Sequence, residues 1–213
     1  MFDNFRGTLN AYKQRDPAAR WSLEVFLLYP GVHATVLHWF AHWLWRHRVK
    51  FLARLVSQIN RFFTGVEIHP GARIGKRFVI DHGMGIVIGE TAEVGDDVLL
   101  YQGVTLGGTG KEKGKRHPTI GNNVLIGSGA KVLGPFKVGD DSRIAANAVV
   151  LHEIPTDSTA VGVPARVVRI AGEKVNFAGS VDQVNITDPV EVELKAISDQ
   201  LEFLERKLEE LSK

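Results

Sequence analysis

The chain carries an aliphatic residue at every sixth position through its centre, and this repeat constrains the fold more than any other feature. The repeated positions are Ile68, Ile74, Ile80, Ile88, Val94, Leu100, Leu106, Ile120, Ile126, Val132, Val138, Ile144 and Val150. A period of six fits neither an amphipathic helix nor a simple alternating strand. A repeat this short must stack on its neighbours to bury its apolar face, and three repeats make one coil of about 18 residues. The sequence therefore predicts a β-solenoid whose aliphatic residues point inward and whose corners turn at Gly, Asn or Asp.

The repeat is interrupted twice, and both interruptions contain a histidine beside a charged residue. Residues 81–87 hold two positions more than the repeat needs, and residues 107–118 form a longer loop. A solenoid accommodates insertions at its corners, and these corners commonly form the binding face. We therefore expect the functional site at these two places. The pairs are Asp81 with His82 and Arg116 with His117.

Composition excludes several classes of function. The 213 residues include no Cys, which excludes disulfides, thiol catalysis and thiolate metal sites. The net charge of +2 gives no indication of nucleic-acid binding. The most apolar window, residues 32–45, is shorter than the roughly 20 residues that span a bilayer, and residues 1–6 do not resemble a signal peptide. We therefore expect a cytoplasmic protein that binds neither membrane nor nucleic acid.

Residues 1–64 differ from the repeat region because they contain all four Trp and few Gly. The pattern predicts three helices: one that starts at Asp16 and Pro17 and ends before Pro30, one over residues 32–48, and one over residues 52–62. In the second helix, one apolar face is predicted, made by Val32, Val36, Trp39 or Phe40, and Trp43. His38 and His42 are four residues apart but lack an acidic partner, so packing is a simpler interpretation than a metal site.

The chain leaves the solenoid after Val150 and ends in a heptad pattern. Its apolar residues are Leu194, Ile197, Leu201, Leu204, Leu208 and Leu211. This narrow stripe favours a coiled coil between subunits over packing on its own chain. The predicted fold class is α+β, with a helical domain (1–64), a parallel β-helix (65–170, including the loop 107–118), a linker (171–188) and a C-terminal amphipathic helix (189–213).

Glu67 and His82 are candidates for acid–base chemistry. They are 15 residues apart, close to one coil, so they are expected to lie near one another on adjacent coils. A carboxylate that binds one ring nitrogen fixes the histidine tautomer and makes the other nitrogen a better base. The alternative is a corner histidine that is held by an ion pair.

The second interruption offers groups for an anionic ligand. The Arg116 guanidinium suits a carboxylate, and Lys111 in the glycine-rich loop could meet phosphates, although a Lys/Gly loop is also often only solvated. Ser128 and Ala146 are 18 residues apart, so they stack in one column. Small side chains in a column leave a groove that fits a long thin ligand such as a pantetheine arm, or they merely suit a tight corner.

Taken together, these motifs resemble the serine O-acetyltransferase family of hexapeptide-repeat acyltransferases. The match runs from about Arg15 to Arg169. Its motifs are Arg15-Asp16-Pro17-Ala18, His42-Trp43-Leu44-Trp45, Ile68-His69-Pro70, Asp81-His82, Gly89-Glu90-Thr91-Ala92, Val104-Thr105-Leu106-Gly107-Gly108-Thr109-Gly110-Lys111, Arg116-His117-Pro118 and Gly162-Val163-Pro164-Ala165-Arg166. The resemblance implies a left-handed β-helix and transfer of acetyl from acetyl-CoA to L-serine, with no metal and no tightly bound cofactor.

The resemblance also implies a role for each matched residue. His82 would be the general base, supported by Glu67 where the family often has Asp. The serine carboxylate would be held by Arg116 and His117, and its ammonium by Asp16 and Asp81. The coenzyme A groove would be lined by Gly108, Thr109, Lys111, Ser128 and Ala146.

The family further implies a homotrimer with its sites between subunits and cysteine as a feedback inhibitor. A dimer of trimers remains open, because the N-terminal region is shorter than in the long members. A complex with O-acetylserine sulfhydrylase is not expected, because the chain ends in Ser212-Lys213 rather than in Ile.

Three other readings remain open on the residues alone. The first is an acetyltransferase for a sugar or antibiotic hydroxyl, which would not need the anionic Asp16. The second is a zinc hydratase that uses His69, His82 and His117 across subunits. The third is a trimeric scaffold without catalysis, against which the two histidine pairs argue.

Overall fold

The computed structural model describes residues 2–110 and 113–174, together with Ser198 and Lys207, which are both helical. Most of the predicted linker (171–188) and of the predicted C-terminal heptad helix (189–213) lies outside the described residues. Residues 1–175 form one compact unit and residues 176–213 a second. Within the described residues, no helix has both the length and the apolar character needed to cross a bilayer.

Four helices precede the repeat region, one more than the sequence predicts. They are α1 (Phe2–Arg15), α2 (Ser22–Leu28), α3 (Pro30–Arg46) and α4 (Lys50–Thr64). Asp16 was expected to start a helix, but it follows the end of α1 and forms a turn in which its Oδ1 accepts a hydrogen bond from the Ala18 N–H at 2.8 Å. α4 ends at Gly65, whose φ of 71° is readily adopted by glycine.

The expected apolar face of α3 is wrong in part. Val32 is buried as predicted, but Phe40 and Trp43 lie outside, stacked with ring centroids 6.1 Å apart. The buried positions of α3 are Gly31, Val32, Ala34, Thr35, His38, Ala41 and Leu44. Because α3 lies directly against α4 and the solenoid, its inner face is made mostly of small residues and the large rings remain outside.

The repeat region forms three parallel sheets that the chain visits in turn. The strands are β1 (Glu67–Ile68), β2 (Arg73–Ile74), β3 (Val79–Ile80), β4 (Val87–Ile88), β5 (Glu93–Val94), β6 (Leu99–Leu100), β7 (Thr105–Gly107), β8 (Thr119–Ile120), β9 (Leu125–Ile126), β10 (Lys131–Leu133), β11 (Lys137–Val138), β12 (Arg143–Ile144), β13 (Val149–Val150), β14 (Ser158–Val161), β15 (Arg166–Ile170) and β16 (Glu173–Lys174). Sheet A is ordered β1-β4-β7-β10-β13, and sheet B is ordered β11-β8-β5-β2. Sheet C is ordered β3-β6-β9-β12-β14-β15-β16; β14 is parallel to β12, and β15 and β16 continue the sheet in antiparallel pairs.

The six-residue repeat defines this core as predicted. Each repeated aliphatic residue is buried, apart from the half-buried Ile74, and pairs in register with its counterpart one coil away, as Ile120 does with Val138. The corner between sheets B and C turns at Asp97 and Asn123, which have φ values of 60° and 53°. Asparagine and aspartate tolerate this left-handed conformation better than other residues with side chains.

The N-terminal helices are attached to the solenoid by a buried tyrosine. The Tyr12 hydroxyl donates to the Ile80 carbonyl at 3.1 Å and accepts from the Ile80 N–H at 3.0 Å. A Cβ at Gly31 would overlap both groups, so α3 can approach this place only with glycine there. The end of α1, and with it the turn at Asp16 that follows, is thereby fixed beside the corner that begins at Asp81.

Candidate active site

His82 lies at the corner where the chain passes from sheet C to sheet A, here called the C–A corner. Backbone hydrogen bonds stack Met84, Gln102, Ser128 and Ala146 in one column along this edge: the Gly103 N–H donates to the Met84 carbonyl at 2.9 Å, and the Gly129 and Asn147 N–H groups donate to the Gln102 and Ser128 carbonyls at 2.8 Å. His82 lies two residues before Met84, in the first interruption of the repeat. The predicted base and two predicted coenzyme A residues therefore share one edge.

The His82 side chain is open to solvent. Its backbone has a φ of 60°, its side chain is 73% exposed, and its Nε2 lies 3.8 Å from Asp81 Oδ1. A residue in this conformation at a tight turn directs its side chain away from the core. The imidazole is therefore available to a ligand or to a second subunit.

Asp16 is held beside this corner by a tyrosine that the sequence analysis did not single out. The Tyr29 hydroxyl donates to Asp16 Oδ2 at 2.6 Å. This hydrogen bond lowers the pKa of Asp16 and raises the pKa of Tyr29 to about 12, and charge on His82 also lowers the pKa of Asp16. Asp16 and Asp81 thus bring two carboxylates to the same corner as His82.

Glu67 is paired elsewhere in this chain. Its carboxylate lies 3.0 Å from the Arg61 guanidinium at the end of α4. Among the described residues, no hydrogen bond or ion pair joins Glu67 to His82. The expected contact is therefore not formed in this structure, and the supporting role of Glu67 stays a prediction.

Arg116 and His117 lie at a different corner, between sheets A and B, here called the A–B corner. The Thr91 N–H donates to His117 Nδ1 at 3.2 Å, which places the proton of the neutral ring on Nε2. The Thr91 hydroxyl accepts hydrogen bonds from the backbone N–H groups of Arg116 and His117 at 3.0 and 3.1 Å. A Cβ at Gly89 would overlap the imidazole, so glycine leaves the space that the buried ring fills.

Arg116 is oriented by a carboxylate that the sequence analysis also left without a role. Its Nη2 lies 2.5 Å from Glu90 Oε2, and this hydrogen bond lowers the pKa of Glu90. Burial, and then the nearby guanidinium of Arg116, lower the pKa of His117. The corner therefore presents a fixed guanidinium and a neutral N–H donor, a pair suited to a carboxylate.

A pocket of about 370 Å³ adjoins this corner. Its lining includes Trp45, Arg73, Glu90 and Glu93. The Lys115 ammonium bounds it, donating to the Thr91 carbonyl at 2.8 Å and lying 3.3 Å from the Glu93 carboxylate. Lys115 is therefore bound to the corner instead of lying free in solvent.

The predicted coenzyme A residues divide between the two corners. Ser128 and Ala146 belong to the C–A corner, whereas Gly108 and Thr109 are exposed at the start of the loop on the A–B corner. A Cβ at Gly108 would lie 3.0 Å from the Arg116 carbonyl, so the two ends of this loop approach closely. Lys111 lies outside the described residues.

One chain therefore contains two half-sites at the two edges of sheet A. The C–A corner offers His82 with Asp16 and Asp81, and the A–B corner offers Arg116 with His117. His69 lies with Arg116 and His117, away from His82, so the three histidines of the zinc interpretation do not meet in one chain. Among the described residues, no group of three His, Asp or Glu side chains is placed to hold a metal ion.

A parallel β-helix of hexapeptide repeats with a histidine–carboxylate corner defines a hexapeptide-repeat transferase. Residues 117–152 match the family model described as bacterial transferase hexapeptide (six repeats). The chain is 55% identical to the serine acetyltransferase of Bacillus subtilis over 99% of its own length and 96% of the relative's. It is 50% identical to that of Synechococcus elongatus, over 100% and 86% of the two lengths. The chain belongs to the serine acetyltransferase family.

Solved structures agree in sequence and in fold. A serine acetyltransferase of Brucella abortus in complex with coenzyme A is 44% identical, with a TM-score of 0.76 over 77% of this chain and 66% of that one. The soybean enzyme complexed with serine is 44% identical, with a TM-score of 0.76 over 78% of this chain and 68% of that one. A serine acetyltransferase in complex with cysteine is 44% identical, with a TM-score of 0.77 over 78% of this chain and 69% of that one. These comparisons confirm the predicted helical region followed by a left-handed parallel β-helix.

Proposed function

We propose that this protein transfers the acetyl group of acetyl-CoA to the hydroxyl of L-serine, giving O-acetyl-L-serine and coenzyme A. The observation that carries this proposal is the place of His82. It is a solvent-open imidazole at the same C–A corner as Ser128 and Ala146, and the carboxylates of Asp16 and Asp81 lie beside it. Family membership and the coenzyme A, serine and cysteine complexes of relatives support the same reaction.

The proposed chemistry is direct transfer. His82 takes the proton from the serine hydroxyl as that oxygen attacks the thioester carbonyl, and the carbon–sulfur bond breaks as the tetrahedral intermediate collapses. The departing thiolate receives the proton from the imidazolium. General-base catalysis of this kind typically contributes about 10²–10⁴-fold to the rate.

Substrate binding follows from the charges at the two corners. The serine ammonium pairs with Asp16 and Asp81, and its carboxylate pairs with Arg116 and the Nε2–H of His117. Cysteine has the same ammonium and carboxylate, with a thiol in place of the hydroxyl, so it competes with serine for this binding site. The pantetheine arm lies along Ser128 and Ala146, with Gly108 and Thr109 on the opposite wall.

The two half-sites meet only when a second subunit is present. Because they lie at the two edges of sheet A, one amino acid binds both when the C–A corner of one subunit faces the A–B corner of its neighbour. A cyclic assembly repeats this contact in every subunit. Three subunits joined in this way, with the C–A corner of each facing the A–B corner of the next, form the proposed homotrimer. Each site then takes His82 from one chain and Arg116 from another.

Complementation between inactive variants tests this arrangement. His82→Ala and Arg116→Ala chains, each inactive alone, are co-expressed with different tags and purified as mixed particles. In a mixed trimer of either composition, one site of the three combines an intact His82 with an intact Arg116, so about a third of the wild-type rate is expected. Mixed particles without activity, from variants that assemble normally, would contradict a shared site.

A further inference from the structure

Met84 lies at one end of the residue column at the C–A corner. The other members are Gln102, Ser128 and Ala146, each one coil further along the prism. Adjacent coils are about 4.8 Å apart, so Met84 and Ala146 are separated by roughly 14 Å along the column. Met84 is also two residues from His82 in the sequence, so this end of the column is the end near the proposed base.

A strip of bare backbone runs beside the column. The first three members of the column are each followed by a glycine, and these glycines are Gly85, Gly103 and Gly129. A Cβ at Gly85 would lie 3.8 Å from the Gly103 Cα, and one at Gly103 would lie 3.4 Å from the Gly129 Cα. The glycines therefore stack directly on one another, and the strip leaves room for a narrow ligand.

The helix α4 closes this strip at the Met84 end. The Gly85 N–H donates to the Gly65 carbonyl at 3.0 Å, in the same way that the Gly103 N–H donates to the Met84 carbonyl. Gly65 follows the last residue of α4, so a helix end takes the place of a further coil. A Cβ at Gly65 would lie 2.5 Å from the Met84 sulfur and 3.0 Å from its methyl carbon. The Met84 side chain therefore lies directly on the end of α4.

Met84 gives the closed end an apolar surface. It is 68% exposed although it contacts Gly65. The charged groups at this corner, Asp16 and Asp81, are those proposed to hold the serine ammonium. A thioether pairs with neither an ammonium nor a carboxylate, but it packs well against a hydrocarbon group. The acyl chain of the thioester substrate is such a group.

The direction of the proposed pantetheine arm brings the acyl chain to this end. The arm lies along Ala146 and Ser128, and the thioester carbonyl lies within reach of the serine hydroxyl that His82 activates. The arm therefore advances along the column toward Met84. Because the acyl carbons follow the carbonyl, every methylene added to an acetyl group lengthens the ligand toward the closed end.

We propose that Met84 sets the length of the acyl group that the enzyme transfers, so that acetyl is admitted and longer chains are rejected. This role rests on the proposed function and adds a specificity-determining residue to it. One methylene too many in an apolar pocket typically lowers kcat/KM by about 10–200-fold. Because methionine is flexible, the rejection of each added methylene is expected near the lower end of this range.

Kinetics with acyl-CoA substrates of different lengths test the proposal. The value of kcat/KM is measured for acetyl-, propionyl- and butyryl-CoA with L-serine as the acceptor. In Met84→Ala the ratio of butyryl-CoA to acetyl-CoA is expected to rise about 10-fold or more, because the smaller side chain opens the end of the groove. Met84→Leu keeps a large apolar side chain and is expected to keep the wild-type ratio. Val87→Ala shortens an exposed apolar side chain of β4, and this matched control is also expected to keep that ratio.

The outcomes separate this proposal from the proposed function. Unchanged selectivity in Met84→Ala, with coenzyme A still released from acetyl-CoA, would overturn the role of Met84 and leave the proposed function intact. The role would also be overturned if Val87→Ala shifted the ratio as much as Met84→Ala. A wild type that releases no coenzyme A from acetyl-CoA with L-serine would overturn the proposed function, and the role of Met84 with it.

Thioethers of coenzyme A test the groove without catalysis, so a slow Met84→Ala variant still gives a result. S-ethyl-CoA matches the acetyl group in length, S-butyl-CoA is two carbons longer, and neither reacts with serine. In calorimetry the wild type is expected to bind S-butyl-CoA more weakly than S-ethyl-CoA, and Met84→Ala is expected to reduce the ratio of the two Kd values about 10-fold. An equal ratio in both proteins would show that Met84 does not limit the chain length.

Discussion

The hydroxyl of Tyr29 donates a 2.6 Å hydrogen bond to Asp16, the residue proposed to hold the substrate ammonium. Replacing Tyr29 by Phe removes this donor and leaves the carboxylate of Asp16 held only by the Ala18 N–H. A hydrogen bond to a charged group contributes roughly 1.5–3 kcal/mol, so the KM for serine is expected to rise by roughly 10- to 100-fold. The KM for acetyl-CoA is expected to stay unchanged.

A double-mutant cycle with Asp16→Asn decides whether Tyr29 acts through Asp16. If it does, adding Tyr29→Phe to Asp16→Asn changes the KM for serine little further, because the group that Tyr29 positions is already altered. Independent, additive effects of the two changes on KM would show that Tyr29 acts elsewhere.

Thr91 is expected to be needed for both stability and serine binding. Its hydroxyl satisfies two backbone N–H groups and contacts the His117 ring at 2.9 Å. Thr91→Val leaves those donors without their acceptor and should lower the free energy of unfolding by about 1–3 kcal/mol while raising the KM for serine. Denaturant unfolding and steady-state kinetics measure both effects. Thr91→Ser keeps the hydroxyl and should behave like the wild type; equal losses in both variants would refute the role of the hydroxyl.

Ala146 tests the proposed coenzyme A groove. It is exposed at the C–A corner, in one column with Ser128. Ala146→Leu places a larger side chain there, so the KM for acetyl-CoA is expected to rise 10-fold or more while the KM for serine stays close to the wild-type value. Thr156→Leu makes a comparable change at the exposed B–C corner and serves as the control. An unchanged KM for acetyl-CoA in Ala146→Leu would place the pantetheine arm elsewhere.

His38 is expected to make the fold sensitive to acid. It is fully buried, and this burial lowers its pKa from about 6.5 to about 3, with His42 nearby and one ring nitrogen without a partner. In the unfolded chain His38 is protonated below about pH 6.5, whereas in the folded chain it is protonated only below about pH 3. Stability is therefore complete above pH 6.5 and falls as the pH decreases through this window, by on the order of 5 kcal/mol in total.

Unfolding in denaturant at pH 7, 6, 5 and 4 measures this loss. His38→Gln removes the titrating group and should lose less stability than the wild type over this range. His69 is half-buried and its pKa is lowered to about 4, so the His38→Gln variant is still expected to lose some stability in acid, although less than the wild type. The same slope in both proteins would exclude His38 as its source.

The six-residue period was sufficient to predict the solenoid, because burial of one aliphatic residue per face depends on spacing alone. Stacking in register would also have identified Glu90 and Thr91. Val94 pairs with Ile120, so residues that are 26 positions apart lie beside one another on this face. Glu90 is therefore expected beside Arg116, and Thr91 beside His117. Tyr29 could not be found in this way, since its contact with Asp16 depends on how α1, α2 and α3 pack. The inner face of α3 was misjudged for the same reason, because a hydrophobic pattern does not show how closely a neighbour approaches.

Release of coenzyme A shows whether His82 is the base that activates serine. Coenzyme A formation from acetyl-CoA is measured with and without L-serine, for the wild type and for a folded His82→Ala variant. We expect a serine-dependent rate in the wild type and a loss of about 10²-fold or more in the variant. A variant that keeps its full rate would show that His82 is not the base, and a wild type without serine-dependent release would show that serine is not the acceptor.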